Sequence, residues 1–303
     1  MSDLAPEATP GPEYTVMRSM MTVPVIVQRF VDKAPAAGAD AICLDLEDSI
    51  PPAEKAAARP LARQAIEAMP RSGFALYVRV NGYATGLTEA DLVAVVRPGL
   101  DGIVLSKADS AEMIAGLDAH LGRLEAGHGI EAGHVAIVPL IETAKGMMEA
   151  YDVCRASPRV SGAIFGAEDS ATDMAIKRTD TAEEVLWARN MVAVACHAAR
   201  IAAIDTPDPN YSDETHLRRE MTKAKSLGYT GKLCIHPTQV QIANEIFSPA
   251  EDEVAEARTI VAGFERDGLA KGIAAIAVDG KMIDTPIYWR ARRIVEWAEA
   301  TKP

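Results

Sequence analysis

The sequence predicts an α/β fold in which eight parallel strands close into a (β/α)8 barrel. Short apolar runs alternate with amphipathic helical segments almost without interruption. The ends of successive runs lie 25 to 36 residues apart, and a strand-plus-helix unit needs about 30 residues. Apolar residues make up 49% of the chain but aromatic residues only 5%, which is typical of a parallel sheet wrapped by helices. A doubly wound open sheet is the alternative architecture.

Each predicted strand is a short apolar run, and most of these runs end on a polar side chain. The strands are predicted at Thr15–Val23, Ala41–Asp48, Ala75–Asn81, Gly102–Lys107, Val135–Thr143, Ser161–Asp169, Arg200–Asp205 and Lys232–His236. The clearest helical patterns between them are Ala53–Met69, Ala111–Glu125, Glu183–Ala198 and Asp213–Leu227.

The 303-residue chain continues beyond what a closed barrel needs. Residues 14–247 are predicted to form the barrel, and residues 1–13, rich in Pro, Glu and Ala, a flexible tail. After a break at Ser248-Pro249, residues 248–303 read as a long helix, a Gly-rich strand-like piece and a basic amphipathic helix. We expect this segment to be a C-terminal lid or oligomerisation arm.

The composition excludes several classes of partner. A net charge of −12 argues against nucleic acid and against an anionic membrane surface. No apolar stretch reaches the ~18 residues of a membrane span, and the N-terminus lacks a signal-peptide pattern. The four cysteines are far apart in the sequence, which indicates buried thiols in a reducing compartment. We therefore expect a cytoplasmic protein.

Seven of the eight predicted strands end in polar or charged side chains. Because the active sites of (β/α)8 barrels form at the carboxyl ends of the strands, these residues are expected to line one cavity. They are Asp45, Glu47 and Asp48; Arg79 and Asn81; Lys107; Glu142; Glu168 and Asp169; Asp205; and His236.

Two of these acids, Glu142 and Asp169, end consecutive predicted strands, which are usually neighbours. A carboxylate pair without a His or Cys ligand favours a hard cation, and Mg2+ is usually held by one or two carboxylates with water or substrate. The alternative is that either acid is paired structurally with Arg79 or Lys107.

Arg79 lies in a strand where an apolar residue would be expected, and a buried guanidinium needs an anionic partner such as a substrate carboxylate. Asp45, Glu47 and Asp48 are too crowded to stay unpaired, so we expect them to hold Arg79, a lysine or a metal-bound water. The helix that follows, with Lys55 and Arg59 near its start, could accept a phosphate. A plain solvated helix start is at least as compatible with this pattern.

Several nucleotide and hydrolase motifs are absent from the sequence. It contains no P-loop and no G-x-S-x-G elbow, and the glycine-rich stretch from Gly127 precedes a strand, where a dinucleotide fingerprint would follow one. The six histidines show no metal-ligand spacing, and His236 is the one histidine that we place near the site.

The motifs together resemble a known family. Arg18-Ser19, Val23-Pro24, Leu44-Asp-Leu-Glu-Asp, Val78-Arg-Val-Asn, Pro139-Leu-Ile-Glu-Thr, Phe165-Gly-Ala-Glu-Asp and Gly231-Lys-Leu-Cys-Ile-His-Pro occur in that order. This set is similar to the citrate lyase β-subunit-like (CitE-like) proteins of the HpcH/HpaI aldolase superfamily, which includes malyl-CoA and citramalyl-CoA lyases. The resemblance covers about residues 15–300.

The resemblance implies a TIM barrel that binds Mg2+, or Mn2+, through Glu142 and Asp169. Arg79 and Arg18 would contact the substrate. Glu168 and His236, together with the acids of the second strand, would support the residues that bind the metal and the substrate. The implied reaction is the reversible carbon–carbon cleavage of a 3-hydroxyacyl-CoA, such as malyl-CoA or citramalyl-CoA, into an acyl-CoA and a 2-oxo acid. The CoA thioester would be a substrate and not a bound cofactor.

The C-terminal stretch from Asp279 through Asp284-Thr-Pro resembles the malyl-CoA lyase branch. There the aspartate matching Asp284 is the acid/base, delivered from a neighbouring subunit. The resemblance thus implies a homo-oligomer, a trimer or a hexamer. The alternatives are a thioesterase on malyl-CoA-type substrates and a carrier-dependent citrate lyase β-type subunit of a larger complex.

Overall fold

The computed structural model describes residues 16–71 and 73–301. Eight parallel strands pair in sequence order, and β8 pairs with β1, so the sheet is a closed barrel. The predicted (β/α)8 barrel is therefore confirmed. The strands are β1 (Ser19–Pro24), β2 (Ala41–Asp45), β3 (Ala75–Val80), β4 (Gly102–Leu105), β5 (Ala136–Ile141), β6 (Gly162–Phe165), β7 (Ala202–Asp205) and β8 (Gly231–Cys234).

Ten α-helices lie between or after these strands in the described part of residues 16–247. They are α1 (Gln28–Lys33), α2 (Lys55–Ala68), α3 (Thr88–Val95), α4 (Ala111–His128), α5 (Ala144–Met148), α6 (Ala150–Arg155), α7 (Ala167–Asp173), α8 (Leu186–Ala199), α9 (Glu214–Ser226) and α10 (Pro237–Phe247). The predicted helices that begin at Ala53, Ala111, Glu183 and Asp213 correspond to α2, α4, α8 and α9.

The strands are shorter than the apolar runs that predicted them. The largest difference concerns Asp169, which was expected at the end of the sixth strand and instead lies in the first turn of α7. The strand ends at Phe165, and Gly166 precedes a helix that starts Ala-Glu-Asp. Acidic residues are favoured in a first helical turn because the exposed N–H groups there carry partial positive charge. Asp169 still lies immediately beyond the carboxyl end of β6.

Alternation along each strand decides which strand-end residues face the barrel interior. The interior cluster contains Tyr77 of β3 and Leu140 of β5, so two residues further along Arg79 and Glu142 lie on the same side. Its members are Met17, Met20, Ala41, Cys43, Tyr77, Val104, Val138, Leu140, Ile164, Ile204 and Leu233. The larger cluster packs the outer strand faces against the helices.

Asp205 has the opposite orientation. Ile204 faces inward, and Asp205 pairs outside the barrel with Arg189 of α8 at 2.8 Å and with Lys232 of β8 at 2.8 Å. All three side chains are buried. The prediction that Asp205 lines the common cavity is therefore wrong, because its position in the strand turns it towards the helices.

This buried triad makes Asp205→Asn a strongly destabilising change. Removing one partner of a buried ion pair typically costs about 3–5 kcal/mol, because the partner charge stays buried and unpaired. Chemical unfolding at pH 7 should show this loss. Asp152→Asn, which breaks an exposed pair with Arg155, should stay within about 0.5 kcal/mol of the unchanged protein. Equal effects of the two substitutions on the unfolding free energy would contradict the conclusion that Asp205 is the anion of a buried, stabilising triad.

The stabilisation from Asp205 should also depend on pH. Burial alone would raise the pKa of Asp205, but the charges of Lys232 and Arg189 outweigh it and hold the pKa below its usual value. A carboxyl group whose pKa is lower in the folded state stabilises the fold above its unfolded pKa. The stabilisation is lost as the pH falls through the pKa of Asp205 in the folded state. The difference in unfolding free energy between the unchanged protein and Asp205→Asn should therefore shrink in acid.

The chain from Ser248 onwards forms a second compact unit. It contains helix α11 (Glu251–Asp267), the antiparallel pair β9 (Ala275–Val278) and β10 (Lys281–Asp284), and helix α12 (Thr285–Ala300). Phe264, Ile283 and Tyr288 form its core. Its role as a lid or arm stays a prediction, and the predicted tail, residues 1–13, lies outside the described residues.

Two further expectations concern the whole described chain. Within residues 16–71 and 73–301, no helix has both the length and the apolar character needed to span a bilayer. Cys43, Cys154, Cys196 and Cys234 are all buried and free.

Candidate active site

Four acids and two basic residues meet at the carboxyl ends of β2 to β6. We call this group the carboxylate cluster; its members are Asp45, Glu47, Arg79, Lys107, Glu142 and Asp169. They are linked by ion pairs of 2.6 to 3.8 Å. The structure thus brings together residues that are up to 124 positions apart in the sequence, from Asp45 to Asp169.

One half of the cluster is organised by Arg79. Its Nε donates to Asp45 Oδ1 at 2.6 Å and its Nη2 to Asp45 Oδ2 at 2.7 Å, while Nη1 lies 3.2 Å from Glu47 Oε2. Burial would raise the pKa of Asp45, but the charge of Arg79 outweighs it and lowers that pKa. Two acids of the second strand therefore hold Arg79 in this geometry. This agrees with the expectation that acids of the second strand pair with Arg79.

The other half is organised by Lys107. Its ammonium lies 3.2 Å from Glu47 Oε1, 3.2 Å from Asp169 Oδ1 and 3.8 Å from Glu142 Oε1. Burial opposes the charge of Lys107, but these three acids outweigh it and raise its pKa above the usual value. The side chain remains 37% exposed, so the cluster is open to solvent on this side.

Glu142 is held deeply in place. Its carboxylate accepts the backbone N–H of Lys107 at 3.0 Å and is only 3% exposed. Gly166 makes room for it, since a Cβ at that position would lie 2.7 Å from Glu142 Oε2. Burial, reinforced by the charge of Asp169, raises the pKa of Glu142 to about 8. Its carboxylate therefore lacks enough positive charge nearby to stay ionised easily.

The charge balance of the cluster suits a divalent cation. Four carboxylates face two permanent cations, so two negative charges are unbalanced when every acid is ionised. No group of three or more His, Cys, Asp or Glu side chains in the described chain is arranged to hold a metal ion by itself. Mg2+ does not require such a cage, because it keeps several waters and takes one or two carboxylates. Glu142 and Asp169 fit that requirement.

The start of α2 does not offer a phosphate site in this structure. Lys55 donates to the carbonyl oxygens of Leu46 and Glu47 and to Asn81 Oδ1, at 2.6 to 3.1 Å. Arg59 pairs with Asp91 at 2.7 Å. Both cations therefore brace the loops beside the cluster, and the alternative of a structural helix start describes them better.

Three residues expected behind the site lie at its edge. Asp48 is exposed, and its backbone N–H donates to Glu47 Oε2 at 3.1 Å. Glu168 points to Arg178, whose Nε lies 3.0 Å away. His236 stacks on Tyr211 with ring centroids 4.7 Å apart and bonds to Thr238, which ties it to loops beyond β7 and β8.

The structure does not place Arg18 in the site. Arg18 precedes β1 at the amino-terminal end of the barrel and makes a two-point ion pair with Asp40, which precedes β2. The cluster lies at the opposite end of these strands. In this structure Arg18 is thus apart from the cluster and links the starts of two strands.

Asp284 ends β10 and is the N-cap of α12, since its Oδ1 accepts the backbone N–H of Ile287 at 3.1 Å. Its role in acid/base chemistry stays a prediction.

The sequence placed Lys107 among the strand-end residues that line the cavity, as an alternative ion-pair partner of Glu142 or Asp169, and the structure has both pairs. The available signal was its position: a basic residue closes the fourth predicted strand, next to a fifth strand that closes on Glu142. Its conformation adds a second sign, because Lys107 has a φ of +52°, which is uncommon for a residue other than glycine.

The comparisons with known proteins agree with the fold. Residues 18–237 match the family model HpcH/HpaI aldolase/citrate lyase. The citrate lyase subunit beta of Leuconostoc mesenteroides is 36% identical over 93% of both chains. The L-malyl-CoA/beta-methylmalyl-CoA lyase of Rhodobacter capsulatus is 32% identical over 89% of this chain and 91% of that one.

A solved structure extends the likeness to three dimensions. The protein CitE of Mycobacterium tuberculosis, in complex with magnesium, acetoacetate and coenzyme A, superposes with a TM-score of 0.74. It is 26% identical and the alignment covers 93% of this chain and 97% of that chain. The chain therefore belongs to the HpcH/HpaI aldolase/citrate lyase family, and is a carbon–carbon lyase.

Proposed function

We propose that this chain catalyses the Mg2+-dependent, reversible cleavage of a 3-hydroxyacyl-CoA, such as malyl-CoA or citramalyl-CoA, into an acyl-CoA and a 2-oxo acid. The observation that carries the proposal is the carboxylate cluster, in which Glu142 and Asp169 both lie beside the Lys107 ammonium and Arg79 belongs to the same chain of ion pairs. The relatives add support, because one is a malyl-CoA lyase and a structural neighbour binds magnesium and coenzyme A.

Glu142 and Asp169 would hold the metal. Bound Mg2+ would supply Lewis acidity at a substrate carboxylate and the oxygen next to it. The buried Glu142 and its backbone bond to Lys107 fix one ligand, while the more exposed Asp169 leaves an open side for substrate.

Arg79 would stabilise the negative charge that develops on the acyl thioester as the carbon–carbon bond breaks. Asp45 fixes the plane of its guanidinium by a two-point contact, and N–H groups of Nη1 and Nη2 remain for other acceptors. A donor held before the reaction needs no reorientation during it, which is how a rigid ion pair can assist catalysis.

In the cleavage the substrate's 3-hydroxyl loses its proton and becomes the carbonyl of the 2-oxo acid, the carbon–carbon electron pair passes to the enolate, and Asp284 would protonate the enolate carbon; in the reverse condensation Asp284 would remove that proton. Asp284→Asn separates this role from capping, because Asn is as good an N-cap as Asp. We expect kcat to fall by about 10²–10⁴, the usual contribution of a general acid or base, with the melting temperature unchanged. Asp284→Ala should lose activity and also some stability. Full activity of Asp284→Asn would remove Asp284 from the mechanism.

The proposal includes a homo-oligomer, a trimer or a hexamer, in which Asp284 acts on a neighbouring subunit. Size-exclusion chromatography of the purified chain tests the assembly. If the chain is active alone, a carrier-dependent subunit of a larger complex is excluded. Hydrolysis of malyl-CoA to free malate, in place of release of acetyl-CoA, would indicate the thioesterase alternative.

The substrate is best identified in the condensation direction. Acetyl-CoA and propionyl-CoA should be screened against glyoxylate, pyruvate and oxaloacetate, with product followed by mass spectrometry. We expect one oxo acid to be preferred, because a single methyl group in an apolar pocket changes selectivity by about 10–200-fold. No condensation product with any pair would contradict the proposed function.

A further inference from the structure

Lys107 brings a positive charge to the same two carboxylates that are proposed to bind the metal. Its ammonium lies 3.2 Å from Asp169 Oδ1 and 3.8 Å from Glu142 Oε1, and it also contacts Glu47. A carboxylate oxygen that binds Mg2+ at about 2.0–2.1 Å has little room for a second cation in contact. The ammonium and a divalent ion would also repel each other strongly at a separation of about 4 Å.

The backbone holds Lys107 in this position. The residue has a φ of +52°, and its N–H donates to Glu142 Oε1 at 3.0 Å. Lys107 thus contacts Glu142 through its backbone N–H and Asp169 through its side chain. Because the side chain is 37% exposed, the ammonium can withdraw towards solvent while the backbone contact stays.

We propose that Lys107 competes with the divalent metal for Glu142 and Asp169, and so sets how tightly this chain binds it. This inference rests on the proposed function, since it takes these two acids as the metal ligands. A lysine among the ligands weakens metal binding, because its own pairing must be given up when the metal enters. In return, the same lysine keeps buried acids paired, which an apolar residue could not do.

The test is calorimetric titration of Mg2+ into the full-length protein and its variants. Lys107→Met should bind Mg2+ about tenfold or more tightly, because a unit charge next to the metal is removed. Lys107→Arg keeps the charge and should stay within about threefold of the unchanged protein. Lys145→Met, which removes a charge from α5 without contacting the cluster, is the matched control and should leave the affinity unchanged.

Thermal unfolding gives a second reading that needs no turnover. Lys107→Met should lower the melting temperature in EDTA, and saturating Mg2+ should raise it by more than in the unchanged protein. Should Lys107→Met fail to fold, Lys107→Gln removes the same charge and keeps a polar end.

The outcomes separate the two ideas. If the unchanged protein binds Mg2+ and the neutral variants bind it equally or more weakly, Lys107 is not a competitor and the inference is overturned. If neither the unchanged protein nor the neutral variants bind Mg2+ or Mn2+, the proposed metal site itself is wrong, and the inference fails with it.

Discussion

Asp169→Asn should reduce kcat more than about 100-fold and abolish the response of the enzyme to Mg2+. The expected loss is this large because even residues that only support metal ligands cost about 10–100-fold when they are changed. Asparagine keeps the size and one oxygen of the side chain but removes the negative charge that a hard cation needs. The side chain is 33% exposed and paired at the surface of the cluster, so stability should change by less than about 1 kcal/mol.

The matched control for this variant is Asp173→Asn, which makes the same substitution at the other end of α7. Asp173 is exposed, and its carboxylate accepts the backbone N–H of Ala144 at 2.7 Å, a bond that asparagine can keep. Its kcat and its Mg2+ dependence should match those of the unchanged protein. Steady-state kinetics across a Mg2+ series, with calorimetric binding, provide the measurement. Normal Mg2+ dependence in Asp169→Asn would show that Asp169 is not a ligand.

Arg79→Lys has the second largest expected effect, a fall in kcat of about 10²-fold or more with the fold retained. Loss of one fixed donor to a developing oxyanion typically costs about 10²–10³ in kcat. Lysine keeps the charge beside Asp45 and Glu47 but cannot make the two-point contact that fixes the guanidinium. Arg79→Met is unsuitable as a test, because leaving Asp45 buried and unpaired would cost about 3–5 kcal/mol.

The comparison variant is Arg59→Lys, in which another arginine paired with a buried acid, Asp91, is changed away from the cluster. Its kcat should stay within about threefold of the unchanged protein. If Arg79→Lys remains folded by circular dichroism and keeps full activity, Arg79 is a structural partner of Asp45, and the mechanism must do without it.

The fold was predictable from the sequence because its signal is repeated eight times. Period, strand length and the polar ends of the strands all agree with one architecture, so a misplaced boundary changes little. The position of Glu142 was predictable because it directly follows a long buried apolar run. Arg79 was detectable because a charged residue interrupts an apolar strand.

The residues that were misplaced are those whose location depends on which way the side chain faces or at which end of the barrel it lies. The sequence indicates these directions less clearly than it indicates strands and helices. Asp205 ends its strand as Glu142 does, yet its side chain faces the helices, since alternation is counted from the interior residue Ile204. Arg18 precedes its strand and so lies at the amino-terminal end, although its motif suggested the site. Asp169 shows that an acid after a strand can already belong to the next helix.

The cleavage reaction itself tests the central claim most directly. Purified chain should be mixed with malyl-CoA and, separately, with citramalyl-CoA, and release of acetyl-CoA followed with Mg2+ and with EDTA. We expect release of acetyl-CoA and of the matching 2-oxo acid from at least one of these thioesters, with activity lost in EDTA and restored by Mg2+. A folded, oligomeric protein that releases no acetyl-CoA from either thioester with Mg2+, or that releases it equally well in EDTA, would contradict a Mg2+-dependent lyase reaction.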